Sequence, residues 1–186
     1  DDKEFYKLYD EHKMKSKSGK NNNNDLFTFD VDLNEFVGYE QVNSLTKIYH
    51  IEKYKDNYII FPEKNPFYFE AGGQISDQGI IISQDKSTEV IDVYQAANGA
   101  TGLIVNNDNF TVDQEVKLEV NKSFRSGVSK SHTAAHIVHT ALRSILGDHV
   151  SQAGSNVAPG KFRFDFSHTE KVNAAELDEI FSLSNN

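Results

Sequence analysis

There is no cysteine anywhere in the 186 residues. Disulfides are therefore excluded, and the composition fits a reducing compartment. No apolar run approaches the ~18 residues that a membrane span needs, and no charged-then-apolar leader opens the chain. Basic residues are in short supply as well: 19 Lys and Arg stand against 28 Asp and Glu, a formal charge of −9. Such a balance argues against a broad electrostatic footprint on nucleic acid, and composition by itself points to no RNA or DNA partner. An initiator methionine is also missing, since the chain starts at Asp1, and this reads as an excerpt of a longer protein.

What is present is ample for packing. Hydrophobic residues make up 38% of the chain, with 13 Phe and 8 Tyr among the aromatics, enough for one sizeable core or two small ones. Residues 1–18 are polar and rich in helix formers, with Phe5, Leu8 and Tyr9 on a narrow apolar stripe and Gly19 beyond it, and a helix is expected there. The stretch 16–25, with asparagine at every position from Asn21 to Asn24, has nothing to bury and reads as a flexible connector.

From Leu26 the pattern becomes alternating. Strands are expected at Gln41 to His50, Asn57 to Phe61, Gly79 to Ile82, Glu89 to Tyr94, Gly102 to Val105 and Glu115 to Val120, separated by turn residues such as Asn57, Asn98-Gly99 and Asn106-Asn107. Several short strands with no helix between them predict a small antiparallel β-barrel. Within this run, Pro66-Phe67-Tyr68 and Gly72-Gly73-Gln74 stand out. The glycine pair permits positive φ or a close backbone approach, as at a bulged barrel corner.

The period changes again near Val120. Beyond Arg125 to Lys130, Ser131 can cap a helix through its hydroxyl. On that helix His132, His136, His139 and Arg143 fall within about 60° of one another. Ala134, Val138, Ala141, Leu142 and Ile145 make the opposite, apolar stripe, and Gly147 stands where an αL cap would end the helix. Imidazoles at i and i+4 can reach one tetrahedral zinc, so His132 and His136 are candidate metal ligands; a solvated or hydrogen-bonded histidine stripe has the same spacing. His139, three residues past His136, reads as structural. A polar, Gly-rich turn follows, then a strand in which Phe162, Phe164 and Phe166 alternate with Arg163, Asp165 and Ser167. Asn173 and Glu176 form a capping-box pattern for a last helix. The expected fold class is α+β, with units at 1–25, 26–122 and 123–186.

The wording of 131–168 closely resembles the opening of the editing domain of alanyl-tRNA synthetases and of related freestanding editing proteins. The residues that carry the resemblance are His132, His136, His149, Val150, Gln152, Gly154, Ser155, Arg163, Phe164, Asp165 and Phe166. The segment from Pro66 to Gly79 is similar to the Pro-Phe-Tyr-x-Glu-x-Gly-Gly-Gln-x-x-Asp-x-Gly sequence of the family's β-barrel, and Phe36-Val37-Gly38-Tyr39 resembles the Phe-x-Gly-Tyr that opens it. Ser131 stands where the family usually has Asn, and Ala135 where it often has Thr.

The resemblance implies a β-barrel followed by an incomplete α/β editing domain, and a cytoplasmic enzyme that charges alanine tRNA using ATP. It also implies that this region hydrolyses tRNA(Ala) mischarged with serine or glycine. His132 and His136 would hold Zn2+ together with a Cys-x-x-x-His far downstream, which this chain does not contain, and Gln152 would be close enough to bond substrate or water. The aminoacylation core would precede Asp1, so the chain alone is expected to be inactive. Two other readings share these residues: a freestanding editing deacylase, and a non-catalytic tRNA-binding module. No membrane or DNA partner is expected.

Overall fold

The computed structural model describes residues 30–84 and 86–185, so the helix and connector expected in 1–25 lie outside the described residues. Alternation decides the sheet. In β2 (Asn43–Tyr54) Ser44, Thr46 and Ile48 point inward while Leu45 and Lys47 face out. In β9 (Glu115–Val120) Val116, Leu118 and Val120 are buried between charged neighbours. Each strand thus has one face that must find a partner.

With β3 (Asn57–Pro62), β5 (Gly79–Ser83), β6 (Lys86–Val90), β7 (Asp92–Gln95) and β8 (Thr101–Val105) these form a seven-stranded sheet of order β6-β5-β9-β2-β3-β8-β7. Every pairing in it is antiparallel. Two short strands, β1 (Glu35–Phe36) and β4 (Lys64–Asn65), pair in parallel beside it.

Two features curl this sheet. Residues Asn43 to Lys47 of β2 pair with β9, whereas Ile48 to Tyr54 pair with β3, with a bulge at the changeover that bends the strand. At the other end, β6 and β7 are one run of chain interrupted at Ile91, whose N–H donates to the Ile104 carbonyl at 2.8 Å. The same run therefore lies at both edges of the sheet. No ladder joins β6 to β7 directly, so the hydrogen-bonded sheet is open as paired. Its inner face closes on one cluster, in which Ile48, Ile60, Phe67, Ile81, Leu103 and Leu118 are all nearly inaccessible. The outer face of β3 packs Ile59 and Phe61 on Val31, Ala96 and Ala100, which explains why β3 is hydrophobic without alternation.

The helix α1 (Lys122–Leu146) begins ten residues earlier than the sequence reading placed it. Its cap is Asn121, whose side-chain oxygen accepts from the Phe124 N–H at 3.0 Å, and Ser131 is buried within the helix. Nothing from Lys122 to Lys130 stops a helix except Gly127, and there the missing side chain makes room for Pro159, whose Cβ would lie 3.0 Å from an added methyl. At the other end Gly147 stops the helix as expected, but at φ 110 and ψ 165 rather than in the αL well.

A second difference follows. The polar, Gly-rich stretch read as a turn is β10 (Ser151–Ala158), paired antiparallel with β11 (Lys161–Ser167) and bulged between Gln152 and Gly154. Its residues have weak strand preference of their own; the partner strand supplies it. The last helix, α2 (Ala174–Ser184), carries the expected capping box between Asn173 and Glu176. Ala141 and Leu142 of α1, Val150 and Ile180 form the small core shared by α1, the hairpin and α2.

Arg125, in the first turn of α1, ties these parts together. Its Nε donates to Asp77 Oδ1 at 2.8 Å, its two terminal nitrogens donate to the Gly38 carbonyl at 2.7 Å and the Pro66 carbonyl at 2.8 Å, and one of them also meets Asp77 Oδ2. Asp77 accepts the Tyr68 N–H at 2.7 Å as well, and its side chain is 2% exposed. Arg125→Leu would leave that carboxylate buried and unpaired, so folding stability should fall by about 3–5 kcal/mol. A lower urea midpoint at unchanged slope would register it.

Tyr49, at the β2 bulge, donates its hydroxyl to the Asp32 carbonyl. Burial first, and the Asp32 charge second, push its phenol from 10.0 up to about 12. The unfolded chain therefore loses this proton before the folded one does. The stability the group contributes is complete below pH 10 and is lost as the pH rises toward 12. Urea titrations at stepped alkaline pH should show a shallower decline for Tyr49→Phe across that window.

Candidate functional site

The loop between β4 and β5 builds one wall of the site. Ala71 and Gln74 close a tight turn through backbone bonds of 3.2 and 3.0 Å in opposite directions. Gly72 and Gly73 occupy its corner at φ 60 and φ 81, a region that glycine adopts without strain. The turn is then clamped to β10: the Val157 N–H donates to the Gly73 carbonyl at 2.7 Å, and the Ile75 N–H to the Val157 carbonyl at 3.2 Å. A Cβ on Gly73 would sit 2.0 Å from Ser155 Oγ, so glycine is required here both for φ and for space.

This clamp presents Gln74 to the helix. Its side-chain oxygen lies 2.8 Å from His132 Nδ1, and Gln74 is 8% exposed. The rings of His132 and His136 stack with centroids 4.9 Å apart and planes within 13°; His132 is half-buried and His136 exposed. The two predicted ligands are therefore side by side at an open surface. With Nδ1 of His132 engaged and Nε2 without a hydrogen-bond partner among the described residues, two near-parallel imidazoles one turn apart fit half of a tetrahedral zinc set. Among the described residues, no group of three or more His, Cys, Asp or Glu could complete it.

Gln152 is exposed on β10. Its amide nitrogen donates to Ser155 Oγ at 2.9 Å, and that hydroxyl reaches toward the Gly72 carbonyl at 3.4 Å. Among the described residues Gln152 makes no hydrogen bond with either histidine. His139, further along the stripe, turns its ring against Phe164 at 4.9 Å, and its buried Nε2 has no partner among the described residues. Ala135 is buried, so a threonine hydroxyl in its place would start from a packed position.

Sequence reasoning missed two arrangements. Gln74 and His132 are 58 residues apart, and the only signal for their meeting was that both fall in motifs. His149 Nε2 and His168 Nδ1 lie 2.8 Å apart with stacked rings, which follows from the β10–β11 register. The Gly73→Ala variant should release the turn from β10. Hydrogen exchange should then quicken at the Val157 and Ile75 amides while the amides of β3 and β9 stay protected.

Comparison with known proteins agrees with the motifs. The alanine–tRNA ligase of Oceanobacillus iheyensis is 41% identical over 156 residues, which cover 78% of this chain and 18% of that enzyme. Those of Christiangramia forsetii and Bacillus velezensis are 40% and 39% identical, over 83% and 81% of this chain and 18% of each enzyme. The chain thus spans less than a fifth of the length of these relatives. The family model described as tRNA synthetases class II (A) matches residues 1–124, two thirds of the 186, and the chain belongs to that family.

Proposed function

We propose that this chain is the portion of an alanine–tRNA ligase that removes wrongly attached amino acids, in a full-length cytoplasmic enzyme that charges alanine tRNA at the expense of ATP. The carrying observation is the stacked His132–His136 pair within a sequence aligned to alanine–tRNA ligases over most of its length. Residues 26–122 are read as a small antiparallel barrel, supported by the β6–β7 run lying at both sheet edges. Residues 123–186 are read as the first part of a zinc-dependent editing domain.

The need for such a site is chemical. A pocket for alanine cannot strongly reject serine, which merely adds a hydroxyl, or the smaller glycine, and discrimination by binding alone is limited to roughly 10²-fold. Hydrolysis of seryl- or glycyl-tRNA(Ala) by a second site removes the error. His132 and His136 would hold the zinc, and the metal, when bound, supplies Lewis acidity or an activated water. Gln152, on the exposed side of β10, offers an amide donor and acceptor to the aminoacyl group or to water. Its bond to Ser155 restrains that amide, and Ser155 packs directly against Gly73 of the turn.

In the full-length protein, His132→Ala with His136→Ala should abolish hydrolysis of seryl-tRNA(Ala) and leave aminoacylation intact. The 186-residue chain, with two ligands, should bind zinc several orders of magnitude more weakly than the full-length protein, because structural sites draw roughly 10–16 kcal/mol from a complete set. Zinc titration and a deacylation assay check both outcomes. The reading is lost if the double variant still edits at the parent rate.

A further inference from the structure

We propose that Gln74 is a positioning residue for His132, fixing which ring nitrogen carries the proton and so presenting Nε2 to the metal. The inference rests on the reading of His132 as a zinc ligand. Gln74 is well placed for this task. Its backbone is held on both sides, by the reciprocal bonds with Ala71 and by the bridge to Val157, and it is 8% exposed. Its side chain thus has little freedom, and its oxygen meets His132 Nδ1 at 2.8 Å. A carbonyl oxygen can only accept, so Nδ1 must donate and Nε2 keeps its lone pair. Were the amide turned over, its NH2 would donate to Nδ1 and force the proton onto Nε2, where it would block ligation.

The second histidine lacks this support. Among the described residues no side chain bonds the His136 ring, which is exposed and stacked on His132. The orientation of the pair is therefore set through His132, and through it by a turn in the loop between β4 and β5 rather than by the helix. Ligand orientation of this kind is worth about 10–100-fold in metal affinity. The glycine pair and Ser155 act one step further back, by fixing the turn that carries Gln74.

The test is the tautomer, read by 15N NMR of the imidazoles in the metal-free 186-residue protein under conditions where they are neutral. His132 should show a proton-bearing Nδ1 and a bare Nε2. Gln74→Leu should give a mixture of tautomers, and Gln74→Glu, which keeps an acceptor, should retain the Nδ1–H form. In the full-length protein Gln74→Leu should lower zinc affinity about 10–100-fold, with Gln74→Glu restoring it. A proton on Nε2 in the parent, or an unchanged tautomer in Gln74→Leu, overturns the inference. If the leucine variant does not fold, the parent and Gln74→Glu spectra still decide. Should the tautomers behave as expected while His132→Ala leaves zinc binding untouched, the metal reading fails and the orienting role of Gln74 stands.

Discussion

The ion pair between Arg125 and Asp77 is the constraint on which the arrangement of the rest depends. A guanidinium can donate in a planar fork, and here the fork is used fully: toward a buried carboxylate and toward the backbone carbonyls of Gly38 and Pro66. Two stretches far apart in sequence, the turn at Gly38 and the 66–78 loop, are thereby referred to one side chain in the first turn of α1. Bringing two charges out of water is costly, and a buried pair is weak grounds for stability in itself. Its consequence here is geometric. The N-terminus of the histidine-bearing helix cannot shift relative to the 66–78 loop without stranding the Asp77 carboxylate.

That loop works in two directions. Asp77 fastens its far end to the helix, while Gly73 and Ile75 exchange backbone bonds with Val157 in β10. Gln74 lies between these anchors and touches His132. A sequence that looks like a barrel corner is therefore also the wall of a site on the following helix, and its glycines serve the close approach of two backbones. The boundary expected at residue 122 rests on a change of period, and the contact of Gln74 with His132 crosses it.

Local rules carried the reading a long way. Most strand positions from Asn43 to Val120 follow from alternation and turn residues, although the single strand expected at Glu89 to Tyr94 is two, β6 and β7, broken at Ile91, and the short β4 was not expected; the last helix follows from its capping box. They failed where a partner outweighed preference. Apart from Val157, β10 is made of Ser, Gln, Ala, Gly and Asn, poor strand formers that nevertheless pair because β11 offers a hydrophobic neighbour in register. The start of α1 was misplaced because Ser131 and Asn121 are both good caps, and only the position of the preceding strand, with the Asn121 N–H bonded to the Gln78 carbonyl, selects between them.

The sequence by itself determined the α+β class, the helical face bearing His132 and His136, and, through its motifs, the family. These depend on periodicity and on residue identity, which are local properties. Tertiary structure alone decided that Gln74 meets His132, that His149 meets His168, and that Arg125 serves Asp77. Each of those contacts joins residues separated by 19 to 58 positions, and long-range pairing is set by how curled strands and a helix close on shared cores, which no local pattern encodes.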